Sequence, residues 1–209
     1  ILSFQRITTG EGGFTGNIGN DEWFGYSMAG LGDLNGDGNP DLAVGEAQDS
    51  QGGTIGSKRG SVWILFLDAN GTVISDNKIS HTSNPDLQLS PEDNFGHSIA
   101  NIGDVNGDGI VDIAVGASQQ DRGPFAADLE TGAAYVIFLD TDGTTKSIQK
   151  IDESNGNFTD ALNKNDRFGW ALASPGDLNG DGIPELAVSA PNKDDGGQDR
   201  GAVWILYLN

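Results

Sequence analysis

The sequence predicts an all-β protein built from three copies of one four-stranded unit. Glycine is frequent, at 32 of 209 residues, as in chains with many turns. Leu, Ile and Val occur in short clusters of strand length, and no long stretch keeps a helical period. Three segments of the chain also align with one another without gaps. Together these observations predict an array of short-stranded repeats.

The aligned segments start 71 and 73 residues apart. They read FGYSMAGLGDLNGDGNPDLAVGEA from Phe24, FGHSIANIGDVNGDGIVDIAVGAS from Phe95, and FGWALASPGDLNGDGIPELAVSAP from Phe168. Each is followed, after a polar loop, by a glycine and an apolar run: GSVWILFLD from Gly60, GAAYVIFLD from Gly132 and GAVWILYLN from Gly201. The apolar run is almost uninterrupted, which predicts a strand covered on both faces.

A polar fourth element completes the unit. Residues 70–80 (NGTVISDNKIS) and 142–152 (DGTTKSIQKID) each follow the apolar run through an Asn-Gly or Asp-Gly turn, a strong hairpin signal. Residues 1–10 (ILSFQRITTG) correspond to the second half of this element, so we expect an outer strand that completes a blade. Four consecutive strands per repeat predict a β-propeller blade. We interpret the chain as one propeller segment, 1–209, with repeat cores 24–80, 95–152 and 168–209.

Between the first two strands of each unit lies a nine-residue loop of pattern D-x-N-x-D-G-x-x-[DE]. Side-chain oxygens at positions 1, 3, 5 and 9, with a backbone carbonyl at position 7, wrap a hard cation as in the first part of an EF-hand loop. The glycine at position 6 permits the sharp turn. The predicted ligands are Asp33, Asn35, Asp37, Asn39 and Asp41; Asp104, Asn106, Asp108, Ile110 and Asp112; and Asp177, Asn179, Asp181, Ile183 and Glu185.

This ligand set favours calcium over magnesium, because magnesium prefers a few carboxylates and retained waters in a strict octahedron. Asx residues and glycine also make good turns without a metal. Three copies that keep the acid at position 9 favour metal binding, so we expect three structural calcium ions per chain. Glu185 in place of Asp predicts a weaker or differently coordinated third site.

Composition and motifs exclude several functions. The absence of cysteine rules out disulfides, thiolate zinc sites and a cysteine nucleophile. The formal charge of −20 disfavours nucleic acid and anionic membrane surfaces as partners. No apolar run approaches the roughly 20 residues of a membrane-spanning helix. No GxSxG, HExxH, P-loop or dinucleotide fingerprint is present, so enzymatic activity is not expected.

The Phe-Gly pair that opens each repeat, and the residues that end its second strand, resemble the FG-GAP repeats of integrin α subunits and related bacterial surface proteins. The matching positions are Phe24-Gly25 with Gly45-Glu46-Ala47, Phe95-Gly96 with Gly116-Ala117-Ser118, and Phe168-Gly169 with Ser189-Ala190-Pro191. The GAP half departs from the family pattern in every copy. The resemblance covers all three units and implies an extracellular, calcium-binding propeller, secreted or at the cell surface, for adhesion or ligand recognition. A carbohydrate-binding lectin propeller and an accessory domain of a secreted enzyme stay open as alternatives.

The loops at the end opposite the calcium loops are where the resemblance implies partner binding. Their interface-type residues are Trp23, Arg59, Arg122, Phe125, Arg167 and Arg200. Tyr26, His97 and Trp170 occupy one equivalent position after the Phe-Gly pair, and we expect them to pack around the propeller axis. The ligand itself is not identified by these patterns.

The predicted assembly follows from the geometry of blades. Propellers usually close with four to eight blades, so three blades leave apolar faces at both ends of the array. The chain starts at Ile1 without an initiator Met, which we interpret as a segment of something longer. Two arrangements would cover these apolar faces: further blades in a longer chain, or a homodimer that closes a six-bladed ring.

Overall fold

The computed structural model describes residues 3–50, 57–121 and 129–209. Its strands form three antiparallel sheets, one for each repeat. The first sheet contains β1 (Phe24–Gly32), β2 (Asp41–Glu46), β3 (Ser61–Leu67) and β4 (Val73–Ile79). The second contains β5 (Phe95–Gly103), β6 (Asp112–Ala117), β7 (Ala133–Leu139) and β8 (Thr145–Ile151). The third contains β9 (Leu172–Gly176), β10 (Glu185–Ala190) and β11 (Ala202–Leu206).

Within each sheet the strands pair in chain order. This is the arrangement of a propeller blade, so the predicted all-β propeller fold is confirmed. Strands β4 and β8 fall inside the polar elements predicted at 70–80 and 142–152. A short 3-10 helix, Pro85–Leu87, lies between the first and second blades. Among the described residues, no helix has the length and apolar character needed to cross a bilayer.

The third strands of the first two blades, β3 and β7, are covered on both faces, whereas alternate residues of β11 in the third blade are exposed. In β3, Val62, Ile64 and Phe66 belong to the core shared with the second blade. The alternate residues Trp63 and Leu65 belong to a separate core on the other side of the first blade. The nearly continuous apolar run of this strand thus has a direct structural reason.

The glycine that precedes each third strand permits close contact between blades. Gly60 forms an isolated parallel bridge with Phe95, and Gly132 forms the equivalent bridge with Phe168. Both glycines have left-handed backbones, with φ of 81° and 83°. A Cβ at either position would collide with backbone atoms of the bridged phenylalanine. A side chain is therefore excluded where one repeat meets the Phe-Gly pair of the next.

The N-terminal segment lies beside the first blade without forming a strand in residues 3–10. Thr8 and Glu11 form an isolated antiparallel bridge, and Asp152 and Asn155 form the same bridge after β8. Phe14 then packs against Trp63, with ring centroids 4.9 Å apart. That residues 1–10 act as an outer strand stays a prediction, and residues 1–2 lie outside the described chain.

Candidate metal centres and the opposite end

The three predicted metal loops lie at one end of the sheets. Residues 33–41 join β1 to β2, residues 104–112 join β5 to β6, and residues 177–185 join β9 to β10. The first eight positions are exposed or half-buried, apart from the apolar residue at position 2 in the first two loops. The last acid of each loop is buried, with Asp41 2% exposed and Asp112 and Glu185 0% exposed. Each loop thus presents an acidic rim to solvent above one buried carboxylate.

The carboxylate of the first acid in each loop accepts hydrogen bonds from backbone amides later in the same loop. Asp33 accepts hydrogen bonds from the amides of Asp37 and Gly38, each at 2.9 Å. Asp104 and Asp177 make the equivalent bonds to Gly109 and Gly182, at 2.7 and 2.9 Å. The position 6 glycines have φ between 85° and 92°, so their left-handed turn is the one that glycine favours.

The middle positions are tied together in the same way in every copy. In the first loop, the Asn35 amide nitrogen donates to Asp37 Oδ2 at 3.0 Å. The Asp37 amide donates in turn to Asn35 Oδ1 at 2.9 Å. The equivalent side-chain bonds measure 3.2 Å in the second loop and 2.8 Å in the third. The structure thus brings the side chains predicted at positions 1, 3 and 5 into one network.

The last acid differs between copies. Asp41 accepts hydrogen bonds from the amides of Leu34 and Leu67 at 3.0 and 3.1 Å, so both its oxygens have backbone partners. Asp112 is held in the same way. In the third loop Glu185 Oε2 accepts from the Leu178 amide, whereas Oε1 is buried with no hydrogen-bond partner. A buried carboxylate oxygen without a donor is costly, and a cation would remove that cost.

The carboxylates of Asp177, Asp181 and Glu185 gather most closely. Each offers an oxygen within 4.8 Å of the other two, a spacing that can surround one cation. In the part of the chain that the structure describes, the first two loops do not form such a group of three. Glu185 has one methylene more than the Asp at this position in the first two loops, so its carboxylate has a longer reach.

Burial and hydrogen bonding shift the pKa values of these acids in opposite directions. Burial raises the pKa of Asp41, and it raises the pKa of Asp112 to about 6. The backbone hydrogen bond from Asn39 lowers the pKa of Asp37. A hydrogen bond from Lys146 lowers the pKa of Asp108. The exposed Asp37 and Asp108 therefore stay ionised to lower pH, while the buried Asp112 of the second loop holds a proton more readily.

Lys146 is a contact of the second loop that the motif did not predict. Its ammonium donates to Asp108 Oδ2 at 2.9 Å and lies 3.9 Å from Asp140 Oδ1. The equivalent position on β4 is Ile74, which carries no charge. The positively charged side chain of Lys146 therefore contacts Asp108, a predicted ligand of the second loop.

An aromatic row runs across the opposite end of the blades. Trp23 stacks on Tyr26 with ring centroids 5.6 Å apart, and Tyr26 lies 4.9 Å from His97. His97 lies 4.4 Å from Trp170, and the Arg167 guanidinium lies 5.6 Å from the Trp170 ring. Tyr26, His97 and Trp170 thus cluster as expected. Trp23 and Tyr26 nevertheless remain 51% and 45% exposed, so the row is also a surface.

The residue before each Phe-Gly pair has a left-handed backbone. Trp23, Asn94 and Arg167 have φ of 60°, 55° and 59°. Such a conformation is uncommon in residues other than glycine, and large side chains adopt it only when surrounding contacts impose it. All three residues line a shallow pocket of about 170 Å³ in the middle of the row. The recurrence of this backbone places three different side chains at one site.

The other predicted interface residues have varied surroundings. Arg59 Nε donates to the Leu89 carbonyl at 3.3 Å and is half-buried. Arg167 makes an ion pair with Glu130 at 2.6 Å. Arg200 is exposed. Arg122 and Phe125 lie outside the described residues.

Sequence reasoning missed an acid that lies two residues before each Phe-Gly pair, half-buried as Glu22 and buried as Asp93 and Asp166. Asp93 accepts hydrogen bonds from the Ser90 amide and the Gln120 side chain, at 2.7 and 2.9 Å. Gln120 in turn accepts from the Tyr135 hydroxyl at 2.7 Å. In the third blade Asp166 instead meets Lys193 at 3.2 Å. The recurrence of Glu22, Asp93 and Asp166 at one repeat position was the signal that could have identified this network.

Glu46 is a second buried acid that the motif did not explain. Its Oε2 accepts from the Trp63 indole at 2.8 Å and lies 2.9 Å from Lys78 Nζ. Lys78 also lies 2.8 Å from Asp49 Oδ2. The charged residue in the GAP position is thus paired inside the first blade rather than presented to solvent.

Comparisons with known proteins agree with this architecture. The model of the FG-GAP repeat matches residues 24–65, 95–137 and 168–206. The chain is 30% identical to integrin alpha-PS2 of Drosophila melanogaster over 97% of its own length and 12% of that protein. It is 30% identical to integrin alpha-7 of Homo sapiens over 91% of its length and 13% of that protein. It is also 32% identical to phosphatidylinositol-glycan-specific phospholipase D of Rattus norvegicus, over 88% of its length and 20% of that protein. The chain spans a fifth or less of these relatives.

Proposed function

Because the chain belongs to the FG-GAP repeat family, we propose that it is a calcium-stabilised propeller module that binds a protein partner outside the cell. Calcium stabilises the blades from one end, and the partner docks at the other. The observation that carries the binding role is the exposed aromatic row that begins at Trp23 and Tyr26. Trp and Tyr side chains that are partly packed and partly exposed to solvent are among the residues that most often anchor interfaces.

The metal role is supported by the donor chemistry of the loops. Each contains only oxygen ligands, from carboxylates, one amide and a backbone carbonyl, which suit a hard cation. The residues that would hold the ion are those at positions 1, 3, 5, 7 and 9 of each loop. The buried and unpartnered Glu185 Oε1 fits such an ion in the third loop. Calcium would reduce the repulsion between the carboxylates of each loop, and it would stabilise the pairing of the two strands that the loop joins.

Secretion or exposure at the cell surface is proposed with the calcium role. Extracellular calcium is millimolar, and extracellular modules use sites of modest affinity. The acidic rims face solvent, where such an ion can exchange. The integrin α relatives support the same location.

The second loop should bind calcium more weakly than its ligands alone would allow, because Lys146 must leave Asp108. We expect Lys146→Met to tighten calcium binding at that loop by about two- to fivefold, the range of a partly exposed ion pair. Calcium titration by calorimetry measures this change. Lys150→Met on the same strand is the control, since Lys150 pairs with Asp152 instead. An unchanged affinity in Lys146→Met would show that the lysine does not compete.

The aromatic row gives the direct test of partner binding. We expect Tyr26→Ala to reduce retention of a protein partner from an extracellular extract by at least about tenfold, the effect of losing one anchoring aromatic. Retention is measured by quantitative mass spectrometry with the immobilised chain in calcium. Ile74→Ala is the matched control, because Ile74 is 57% exposed but lies on β4.

Two results would contradict this assignment of the binding end. If Ile74→Ala removes retention while Tyr26→Ala does not, the partner docks away from the aromatic row. If a glycan array gives strong signals that Tyr26→Ala abolishes, the module is a lectin.

The phospholipase D relative favours a second function. Its similarity covers 88% of this chain but only 20% of that protein. The chain would then be an accessory domain beside a catalytic part in a longer protein. Sequencing the complete gene distinguishes the two functions, since an adjoining hydrolase domain would establish the accessory role.

A further inference from the structure

One side-chain contact recurs between the loop that enters a blade and the segment that follows the second strand of that blade. In the second blade the Gln120 side-chain amide donates to Asp93 Oδ2 at 2.9 Å. In the third blade the Lys193 ammonium lies 3.2 Å from Asp166 Oδ2. In both blades a donor that follows the second strand therefore meets the acid that lies two residues before the Phe-Gly pair.

Asp49 stands where the other two blades have this donor. The Asp49 amide donates to the carbonyl three residues earlier, and its carbonyl accepts from the glycine before the third strand. Gln120 and Lys193 make the same two backbone hydrogen bonds in their own blades. An ionised carboxylate has no proton to donate. Asp49 therefore cannot bind the equivalent acid, Glu22, in the way that Gln120 and Lys193 bind theirs.

Three acids meet at this position in the first blade. Glu22, Glu46 and Asp49 each offer an oxygen within 4.8 Å of the other two. Glu46 and Asp49 are buried, and Glu22 is half-buried. Lys78 contributes a positive charge, with its Nζ 2.9 Å from Glu46 and 2.8 Å from Asp49. Three carboxylates and one ammonium group leave the cluster with a net charge of −2.

Glu46 also has a buried oxygen that the neighbouring donors do not reach. Its Oε2 accepts from the Trp63 indole at 2.8 Å and from the Ser61 hydroxyl at 3.1 Å. Its Oε1 is buried without a hydrogen-bond partner among the described residues. Burial raises the pKa of Glu46, although Lys78 and Trp63 act in the opposite direction. A cation beside Oε1 would remove the cost of burying an oxygen that has no donor.

We propose that the first blade binds a hard divalent cation of the magnesium type between Glu22, Glu46 and Asp49, at the end of the blade opposite the calcium loops. The ion takes the place that the Lys193 ammonium has in the third blade, and it neutralises the remaining charge of the cluster. Glu22 is half-buried, so the ion and its bound waters enter from that side. None of the predicted calcium ligands takes part in this site.

The number of available oxygens favours magnesium over calcium. Calcium takes about six to eight oxygen ligands, whereas magnesium binds through a few carboxylates and retains several waters. The two carboxylate oxygens of Glu22 already accept from the amides of Gly19 and Ser50, at 2.5 and 3.2 Å. Oε2 of Glu46 is likewise engaged. The three acids therefore cannot complete a calcium shell, but they suit an ion that keeps its waters.

A cation at this position would hold the segment that carries Trp23 at the start of the aromatic row. Glu22 directly precedes Trp23, whose backbone is left-handed with φ of 60°. The Glu22 carbonyl accepts from the Gln48 amide at 3.1 Å. The ion would add a second connection between this loop and the segment after β2, and it would thereby fix the backbone on which Trp23 is presented.

The indole N–H signal of Trp63 in an NMR spectrum tests the site, because this group donates to Glu46. The chain is first saturated with calcium, and magnesium is then added. The Trp63 signal should shift saturably, with one magnesium ion bound per chain. The indole of Trp204 donates to Asp160 in the third blade and should not respond. The readout is local to the first blade, so it does not depend on whether the nine-residue loops bind calcium.

Two variants separate this site from general binding of divalent cations. Glu46→Gln should weaken magnesium binding by at least about tenfold, since changes beside a metal ligand already cost that much. Asp49→Lys copies the third blade and leaves two acids with two ammonium groups. It should lose the magnesium response and, in a chelator, melt no lower than the parent chain. Asp86→Lys makes the same charge change at an exposed position and should keep the response.

Three results would overturn the proposal. If the Trp63 signal ignores magnesium but titrates with pH, the acids share a proton instead of a metal ion. If calcium alone produces the shift and a fourth calcium ion binds, the assignment to magnesium is wrong. If Asp49→Lys keeps the magnesium response of the parent chain, the ion binds elsewhere.

Discussion

Removal of calcium should lower the melting temperature of the chain by about 10 °C or more. A ligand at 100 times its dissociation constant stabilises the folded state by about 2.7 kcal/mol per site. Each kcal/mol shifts the melting temperature of a chain of this size by about 2–4 °C. Three bound calcium ions also change the formal charge from −20 to −14, which relieves self-repulsion. Differential scanning calorimetry with calcium or with a chelator measures the shift.

The stoichiometry of binding separates specific sites from general screening by divalent cations. Isothermal titration should give three calcium ions per chain, and Asp108→Ala should reduce the number to two. Asp86→Ala removes an exposed carboxylate that lies outside the three nine-residue loops, so this variant should still bind three calcium ions. A chelator that leaves the melting temperature unchanged would contradict the structural role of the metal. If Asp108→Ala and Asp86→Ala reduce the number of bound calcium ions equally, the binding is nonspecific.

Asp93→Asn should stabilise the chain at neutral pH and flatten its pH dependence. Burial raises the pKa of Asp93 from 3.8 to about 7. Between these values the folded state keeps a proton that the unfolded state has released, so stability falls as the pH rises through this window. The full shift corresponds to about 4 kcal/mol. Asparagine avoids this loss because it has no proton to release and can accept the Ser90 hydrogen bond.

The measurement is the difference in unfolding free energy between Asp93→Asn and the parent chain at pH 4, 5.5 and 7.5. The difference should grow in favour of the variant as the pH rises and level off above about pH 7. Subtracting the unfolding free energy of the parent chain at each pH removes the contributions of the other titrating groups. Asp86→Asn in the same loop is the exposed control and should give no trend. A difference that is constant with pH would show that Asp93 does not titrate in this range.

Local sequence determined the repeat, the strands and the positions of the nine-residue loops that we predict to bind metal. The spacing between Phe24, Phe95 and Phe168 identifies the blades, because each copy must present the same side chains to its neighbours. The nine-residue loops could be located from the spacing of their acids and glycines alone, since the first acid of each loop makes its hydrogen bonds within that loop. Asp33 reaches Gly38, five residues away, through a hydrogen bond that needs no other part of the fold.

Only the tertiary structure decided which side chains are buried together. Lys146 meets Asp108 from 38 residues away, and Tyr26 meets His97 from 71 residues away. The motif treats Asp41, Asp112 and Glu185 as equivalent, but the unpartnered oxygen of Glu185 depends on which backbone amides its longer side chain reaches. The raised pKa of Asp93 comes from its burial, and its hydrogen-bond partner Gln120 lies 27 residues away in the chain. These properties depend on how strands pair within a blade and how blades pack together, and no local periodicity encodes the distance between segments that touch only in the folded chain.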